Sequence, residues 1–366
     1  MVTHGFYAFL VAAVAALATG ALVPSLIRIA KQLNLLSVPT EERQVHTHPI
    51  PRIGGLAMFV GFAAAVAVSF WLPIERFPIE VERILLLFVG AVLVVAVMLC
   101  DDMVGVSPGK KLGWQIAAAA VVIVPRLRGE DHGLVIDQFT NPFGGTVHLP
   151  LVVAIGFTLF WIVGFMNTLN WLDGLDGLAG SVTLVAASVL FFHTFFRPAG
   201  DPQFTISLLP AALGGAVIGF LPFNWNPARI IMGDVGAMFL GFTLAVISII
   251  GGAKIATALL ALWLPILDVA WVIIYRVLSS QSPARADRGH LHHRLLDLGW
   301  SQRQIVLLFT GLSILLGGAS LFIGRPEVKL FALIVAGVIG IALLALLARV
   351  TRRQVETSVT EFSRRL

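Results

Sequence analysis

Four short stretches of this chain gather acids, amides, histidines and basic residues at spacings that suit phosphate chemistry. The densest is Asn167-Thr-Leu-Asn170-Trp-Leu-Asp173-Gly-Leu-Asp176-Gly177. Each of its two carboxylates, Asp173 and Asp176, is followed by Gly, and the amides Asn167 and Asn170 precede them. A spacing of three puts Asn170, Asp173 and Asp176 on one face if the segment is helical. The second stretch is the pair Asp101-Asp102, with Lys110 and Lys111 downstream. Adjacent carboxylates repel, so a cation or a proton must hold them. Such a pair suits a metal or general-base site, with Lys111 (or Lys110) as counter-charge for phosphate. The third runs from Phe223 through Asn224, Asn226 and Arg229 to Gly233-Asp234-Val-Gly236. Asp234 opens an apolar helix, where an acid is at least a favourable cap. Asn226 and Arg229 add groups that bind nucleotide or phosphate. The fourth is Arg285-Ala-Asp-Arg288-Gly-His290-Leu-His292-His293-Arg294. A histidine cluster can bind metal. With arginines beside it, it reads as a diphosphate grip, because guanidinium pairs bidentately with phosphate oxygens.

The elements that must position these groups are membrane helices. The chain has 366 residues, 58% of them hydrophobic and 12% charged, and a mean hydropathy of +0.92. Soluble domains carry roughly 25% charged residues. A spanning helix needs about 20 apolar residues. Runs of that kind predict about eleven spans, at 5–29, 53–72, 83–100, 113–125, 149–166, 179–196, 204–222, 235–250, 254–278, 303–323 and 328–348. The fold class is therefore all-α and polytopic. Residues 1–348 form a single multi-pass catalytic domain, and 349–366 form a basic cytoplasmic tail. The first run reads as a retained helix, since it lacks a basic leader and is too long for a signal-peptide core. One cysteine, Cys100, excludes an intrachain disulfide.

Lys and Arg set the orientation. Most of them fall in the loop after the first helix, in every second loop after that, and in the tail. Positive residues stay cytoplasmic, so the N-terminus lies outside and the C-terminus inside. The same bias accounts for the net charge of +5, and no nucleic-acid partner is implied. All four polar stretches then share the cytoplasmic face. An ion-coupled transporter is the alternative class, since acids within membrane segments also mark transporters. There, however, the polar groups sit near the bilayer midplane at broken helices, whereas these sit at helix ends.

Taken together and in this order, the motifs Asp-Asp…Lys, Asn-x-x-Asn-x-x-Asp-Gly-x-Asp-Gly, Asn-x-Pro-Ala…Gly-Asp-x-Gly and His-x-His-His resemble the polyprenyl-phosphate N-acetylhexosamine-1-phosphate transferase superfamily. The likeness is greatest to its WecA/TagO-like branch, with MraY more distant. The early residues Arg43, His46, Pro51, Arg52, Gly54 and Gly55 are similar to that family's first cytoplasmic loop. The resemblance implies an active site on the cytoplasmic face of the inner (plasma) membrane. It also implies dependence on Mg2+, with Mn2+ as a substitute. The substrates would be undecaprenyl phosphate in the bilayer and a UDP-N-acetylhexosamine, UDP-GlcNAc first among them. The products would be undecaprenyl-diphosphate-sugar and UMP, the initiating step of a cell-envelope polysaccharide. By motif, Asp234 with Asp176 would hold the metal. Asp101, Asp102, Asp173, Asp176 and His290 are the catalytic candidates. Lys111, Asn167, Asn170, Asn226, Arg229, Arg288, His292, His293 and Arg294 are the substrate-binding candidates. Ala237 stands where the family usually has Ser. His-Leu-His-His differs from the consecutive histidines of the peptidoglycan enzymes and favours a simple nucleotide sugar. A homodimer is compatible with the sequence.

Overall fold

The computed structural model describes residues 2–37, 49–130, 132–141, 143–196, 203–252, 255–280 and 289–365, with the backbone alone beyond 346. Arg43 and His46 of the first loop, and Arg285 and Arg288 of the histidine loop, lie outside the described residues. Thirteen α-helices are described, as expected where lipid leaves backbone groups no partner but each other. They are α1 (Val2–Gln32), α2 (Gly54–Ser69), α3 (Pro78–Val104), α4 (Pro108–Ile123), α5 (Leu151–Leu172), α6 (Leu178–Phe195), α7 (Phe204–Asn224), α8 (Gly233–Ile250), α9 (Ile255–Ala261), α10 (Trp263–Leu278), α11 (Leu291–Asp297), α12 (Gln302–Phe322) and α13 (Pro326–Arg365). Two small antiparallel ladders accompany them. β1 (Leu36–Ser37) pairs with β2 (Ile50–Pro51), and β3 (Gln138–Thr140) with β4 (Thr146–His148).

Eight described helices are long and apolar enough to cross a membrane, and nine if α9 and α10 count as one bent span. The chain is therefore a multi-pass membrane protein. Residues 254–278 were expected as a single helix but form two, which meet at 83°. Pro265 supplies the reason. A continuous helix would drive its ring into the carbonyl of Ala261 and leave that carbonyl without a donor. In the first turn of α10 the missing N–H costs nothing.

The bundle is built around α8. Every residue of α8 except Asp234 is buried, as befits a helix apolar on all sides. α2, α3, α5, α6, α7 and α9 pack on it. Small residues let backbones approach where side chains could not fit. A Cβ on Gly55 of α2 would lie 2.1 Å from the Gly236 nitrogen of α8. The N-termini of α2 and α8 therefore come together.

Helices also run past the apolar segments that predicted them. α3 continues to Val104, α4 begins at Pro108 and α5 continues to Leu172. Backbone hydrogen bonding does not stop where hydropathy falls. It stops at a breaker. Asp101, Asp102, Lys111, Asn167 and Asn170 thus belong to helix ends and not to loops. Residues 173–177 form the opposite case. They are a turn, not a helix, so Asp173 and Asp176 do not share a helical face. Gly177 adopts φ +79° there, a conformation that favours glycine.

Candidate active site

The site lies where the C-termini of α3 and α5 meet the N-termini of α4 and α8. Lys111, in the first turn of α4, donates to Asp101 Oδ2 at 2.6 Å and also to Asp234 Oδ2. One ammonium thus bridges an acid from α3 and an acid from α8. The other Asp101 oxygen accepts the Val106 N–H at 2.7 Å. Asp102 pairs with Arg52 at 2.6 Å, and the same guanidinium nitrogen lies 3.9 Å from Asp234 Oδ1. Arg52 is held there by its own backbone. Ile231 N–H donates to Pro51, and Gly54 and Gly55 N–H donate to Ile231 and Met232. Sequence reasoning used Arg52 only as an orientation charge and as part of a loop motif. Its role as partner of two site acids depends on this short backbone ladder, which no local pattern announces.

Asp173 follows the last turn of α5. Burial, then the negative charge of Asp234 and Asp176, push its carboxyl well above the usual carboxylate range. Asp176 faces the loop before α8. Its Oδ2 accepts from Asn226 Nδ2 at 2.9 Å and from the Ala228 N–H at 3.0 Å. Arg303, at the start of α12, donates to the Asn226 carbonyl at 2.8 Å. Asn224 clamps the same loop, accepting from the Gly177 N–H at 3.1 Å and donating to the Ile230 carbonyl at 3.0 Å. Asn226 is therefore a loop tie in this geometry. Arg229 is exposed, and Asn170 is half-buried on the last turn of α5.

Asn167 sits deeper. It exchanges amide hydrogen bonds with Gln115, at 2.8 and 3.2 Å, and donates to the Val163 carbonyl at 2.8 Å. Gln115 lies one turn after Lys111, and it also approaches Met238 Sδ at 3.4 Å, one turn after Asp234. This amide pair ties α4, α5 and α8 just beneath the charges. Asn167 is placed as a strut, with its amide committed inside the protein.

His292, on α11, packs against the acid turn. A Cβ on Gly174 would lie 2.4 Å from His292 Nε2. His290 and His292 stack with centroids 5.7 Å apart, and His292 and His293 lie 4.3 Å apart. His292 is fully enclosed, and burial, then His293 and His290, hold its ring well below the usual histidine range. Arg294 Nε donates to the Gly289 carbonyl at 2.9 Å. His290 Nδ1 meets Asp268 Oδ2 at 3.0 Å, and the Leu291 N–H donates to Asp268 Oδ1 at 2.8 Å. Asp268 was missed from the sequence. A lone acid inside an apolar run was the available signal.

The donor set fits a divalent cation. Asp101, Asp102, Asp173, Asp176 and Asp234 interact electrostatically, and among the described residues Lys111 and Arg52 are the cations paired with members of this set. An excess of negative charge remains, and it adds to burial in raising Asp173. Among the described residues no three His, Cys, Asp or Glu side chains close into a metal cage. Mg2+ does not require one, since it commonly takes one or two carboxylates and completes its shell with water and substrate phosphates.

A polytopic bundle with an acid-rich, lysine-bridged end is the form of a membrane enzyme that handles phosphates. The sequence model of glycosyl transferase family 4 matches residues 84–252. The chain is 34% identical over 342 residues to a decaprenyl-phosphate N-acetylglucosaminephosphotransferase of Mycobacterium tuberculosis, covering 85% of this chain and 82% of the relative. It is 30% identical over 294 residues to a probable undecaprenyl-phosphate N-acetylglucosaminyl 1-phosphate transferase of Bacillus subtilis, covering 78% and 76%. A phospho-N-acetylmuramoyl-pentapeptide-transferase of Staphylococcus saprophyticus is 28% identical over 345 residues, 86% of this chain and 99% of the relative. The chain belongs to glycosyl transferase family 4, and it is a transferase.

Proposed function

We propose that the protein transfers N-acetylglucosamine-1-phosphate from UDP-GlcNAc to undecaprenyl phosphate, giving the lipid-diphosphate sugar and UMP. Relatives whose names specify this transfer to a polyprenyl phosphate support the reaction. The observation that carries the site assignment is the bridge of Lys111 between Asp101 and Asp234. The placement of the acids at helix ends and the family membership leave the transporter reading without support.

The chemistry follows from charge. A phosphate monoester has a second pKa near 6, so the lipid phosphate is largely dianionic at neutral pH. Two unit charges about 4 Å apart repel by roughly 4 kcal/mol at an effective dielectric of about 20. Neutralisation and alignment therefore dominate the barrier. Lys111 and Arg52 supply fixed positive charge at the acid cluster. Asp234, with Asp176, would hold Mg2+, which when bound neutralises diphosphate oxygens and orients the donor. Asp101 orients the incoming lipid phosphate or takes its residual proton. Asp102 lies beside it, held by Arg52. Asp173 in its protonated form can donate a hydrogen bond to a phosphate oxygen. His290, His293, Arg294 and the exposed Arg229 would meet the donor's diphosphate, Arg288 joins them on its motif alone, the enclosed His292 braces the acid turn, and Asn170 with the Asn226 loop would meet the nucleotide.

We also infer the orientation that the Lys and Arg bias implies: N-terminus outside, C-terminus inside and the site on the cytoplasmic face. The test of function is a panel of UDP-sugars offered with undecaprenyl phosphate to the detergent-solubilised protein. UMP and a lipid-diphosphate GlcNAc should appear. Turnover with no UDP-N-acetylhexosamine would end this reading, and turnover that required a sealed membrane would restore the transporter.

A further inference from the structure

α10 has one inward stripe. Its buried residues are Leu264, Pro265, Asp268, Val272 and Arg276, a repeat near four that marks a single helical face. Most of the rest of α10 is partly or fully exposed. On that stripe the Asp268 side chain keeps only 4% of its surface. A carboxylate so enclosed is costly unless its oxygens are bonded, and both are. Oδ1 accepts the backbone N–H of Leu291, the first residue of α11, and Oδ2 meets His290 Nδ1. His290 is itself nearly enclosed, with 8% side-chain exposure. Its ring lies 5.7 Å from that of Trp171, two residues before Asp173.

We propose that Asp268 is a positioning residue for the transfer: it fixes His290 with its proton on Nδ1 and leaves the Nε2 lone pair as an acceptor for an O–H or N–H of the substrates. An ionised carboxylate only accepts. Whatever faces Asp268 Oδ2 must therefore carry the proton, and on His290 that atom is Nδ1. The histidine's other nitrogen is the partner-seeking one. The Leu291 bond adds direction, because it anchors the same carboxylate to the start of α11 and so fixes that helix end and the ring together. An orienting acid of this kind sets which imidazole nitrogen does chemistry.

The Leu291 bond also makes the test clean. In Asp268→Asn the backbone N–H still demands an oxygen. The amide must then turn its NH2 toward His290, which can meet it only by accepting at Nδ1. The tautomer inverts while the side-chain volume is kept. The experiment is 15N NMR of histidine-labelled protein in bilayers, with the His290 signal assigned by its loss in His290→Gln. It is paired with UDP-GlcNAc kinetics and UMP binding on the same preparations. His290 should be Nδ1-protonated in the parent and Nε2-protonated in Asp268→Asn. The variant's kcat should fall about 10- to 100-fold, the range seen when a histidine loses its orienting partner, with KM for UDP-GlcNAc within about twofold. Parental His290 bearing its proton on Nε2 alone overturns the proposal even if the variant fails to fold. So does a variant that binds UMP and turns over at the parental rate. The inference rests on the transferase reading only for the kinetic arm. If the parent makes no lipid-diphosphate sugar, that reading fails while the tautomer measurement still decides the role of Asp268.

Discussion

Lys111 is the residue on which two helices converge, because Asp101 and Asp234 would repel without it. Lys111→Met keeps the stem and removes the charge, and should lower kcat by about 100- to 1,000-fold, the scale of losing one preorganised electrostatic contact. Lys111→Arg should retain more activity than Lys111→Met, and UMP release assays compare the two directly. Asp173 carries a different prediction. Its folded-state pKa is raised, so above the ordinary carboxylate value of about 3.9 the unfolded chain releases a proton that the folded chain keeps. Stability of the metal-free protein should therefore fall as pH rises through the interval between those two values. Asp173→Asn should flatten that slope and raise the melting temperature at neutral pH. Thermal unfolding in detergent between pH 4 and pH 8, with a chelator present, checks the sign. A variant with the parental slope would show that Asp173 is not the acid under strain.

At the scale of elements, two contacts set the helix ends in register. A side chain on Gly55 would strike the backbone of Gly236, and overpacking of this kind costs about 1–3 kcal/mol. Gly55→Leu should lower thermal stability and lose turnover as well, because Arg52 sits just before α2. The Gln115–Asn167 pair is the second contact. Gln115→Leu strands the half-buried Asn167 amide, at a cost of about 1 kcal/mol. Gln115→Leu with Asn167→Leu removes both amides and should recover part of that stability. A double-mutant cycle that shows no coupling would mean the amides do not act as a pair. These contacts also show what the sequence could and could not reveal. Apolar runs marked the helices, and polar clusters marked the ends that carry chemistry. Hydropathy could not say that α3 and α5 continue through Asp102 and Asn170, since a helix stops at a breaker and not at a lipid boundary. Nor could it pair Arg52 with Asp102, or Asp268 with His290. Those are contacts between distant segments, and each side alone looks like an ordinary loop cation or a stray membrane acid. Asn167 shows the converse: a polar residue in a motif can serve the scaffold.

For the whole molecule, the charge bias predicts which face meets which compartment. The site and the β1–β2 ladder lie at one end of the bundle. The β3–β4 ladder joins α4 to α5 at their opposite ends. In a Cys100→Ser background, Thr146→Cys should react with an impermeant maleimide in intact cells, and Asn34→Cys only after permeabilisation. The reverse pattern would place the acids outside, away from cytoplasmic nucleotide sugars. The central claim is that this acid-rich, lysine-bridged end of the bundle uses a divalent ion to let two anions meet. Its most direct test is UMP release from UDP-GlcNAc and undecaprenyl phosphate by purified protein as Mg2+ is titrated, for the parent and for Asp234→Asn. Parental turnover should vanish with chelator and return with Mg2+, while Asp234→Asn should stay near background at every concentration. Undiminished turnover in chelator, or in Asp234→Asn, would contradict it.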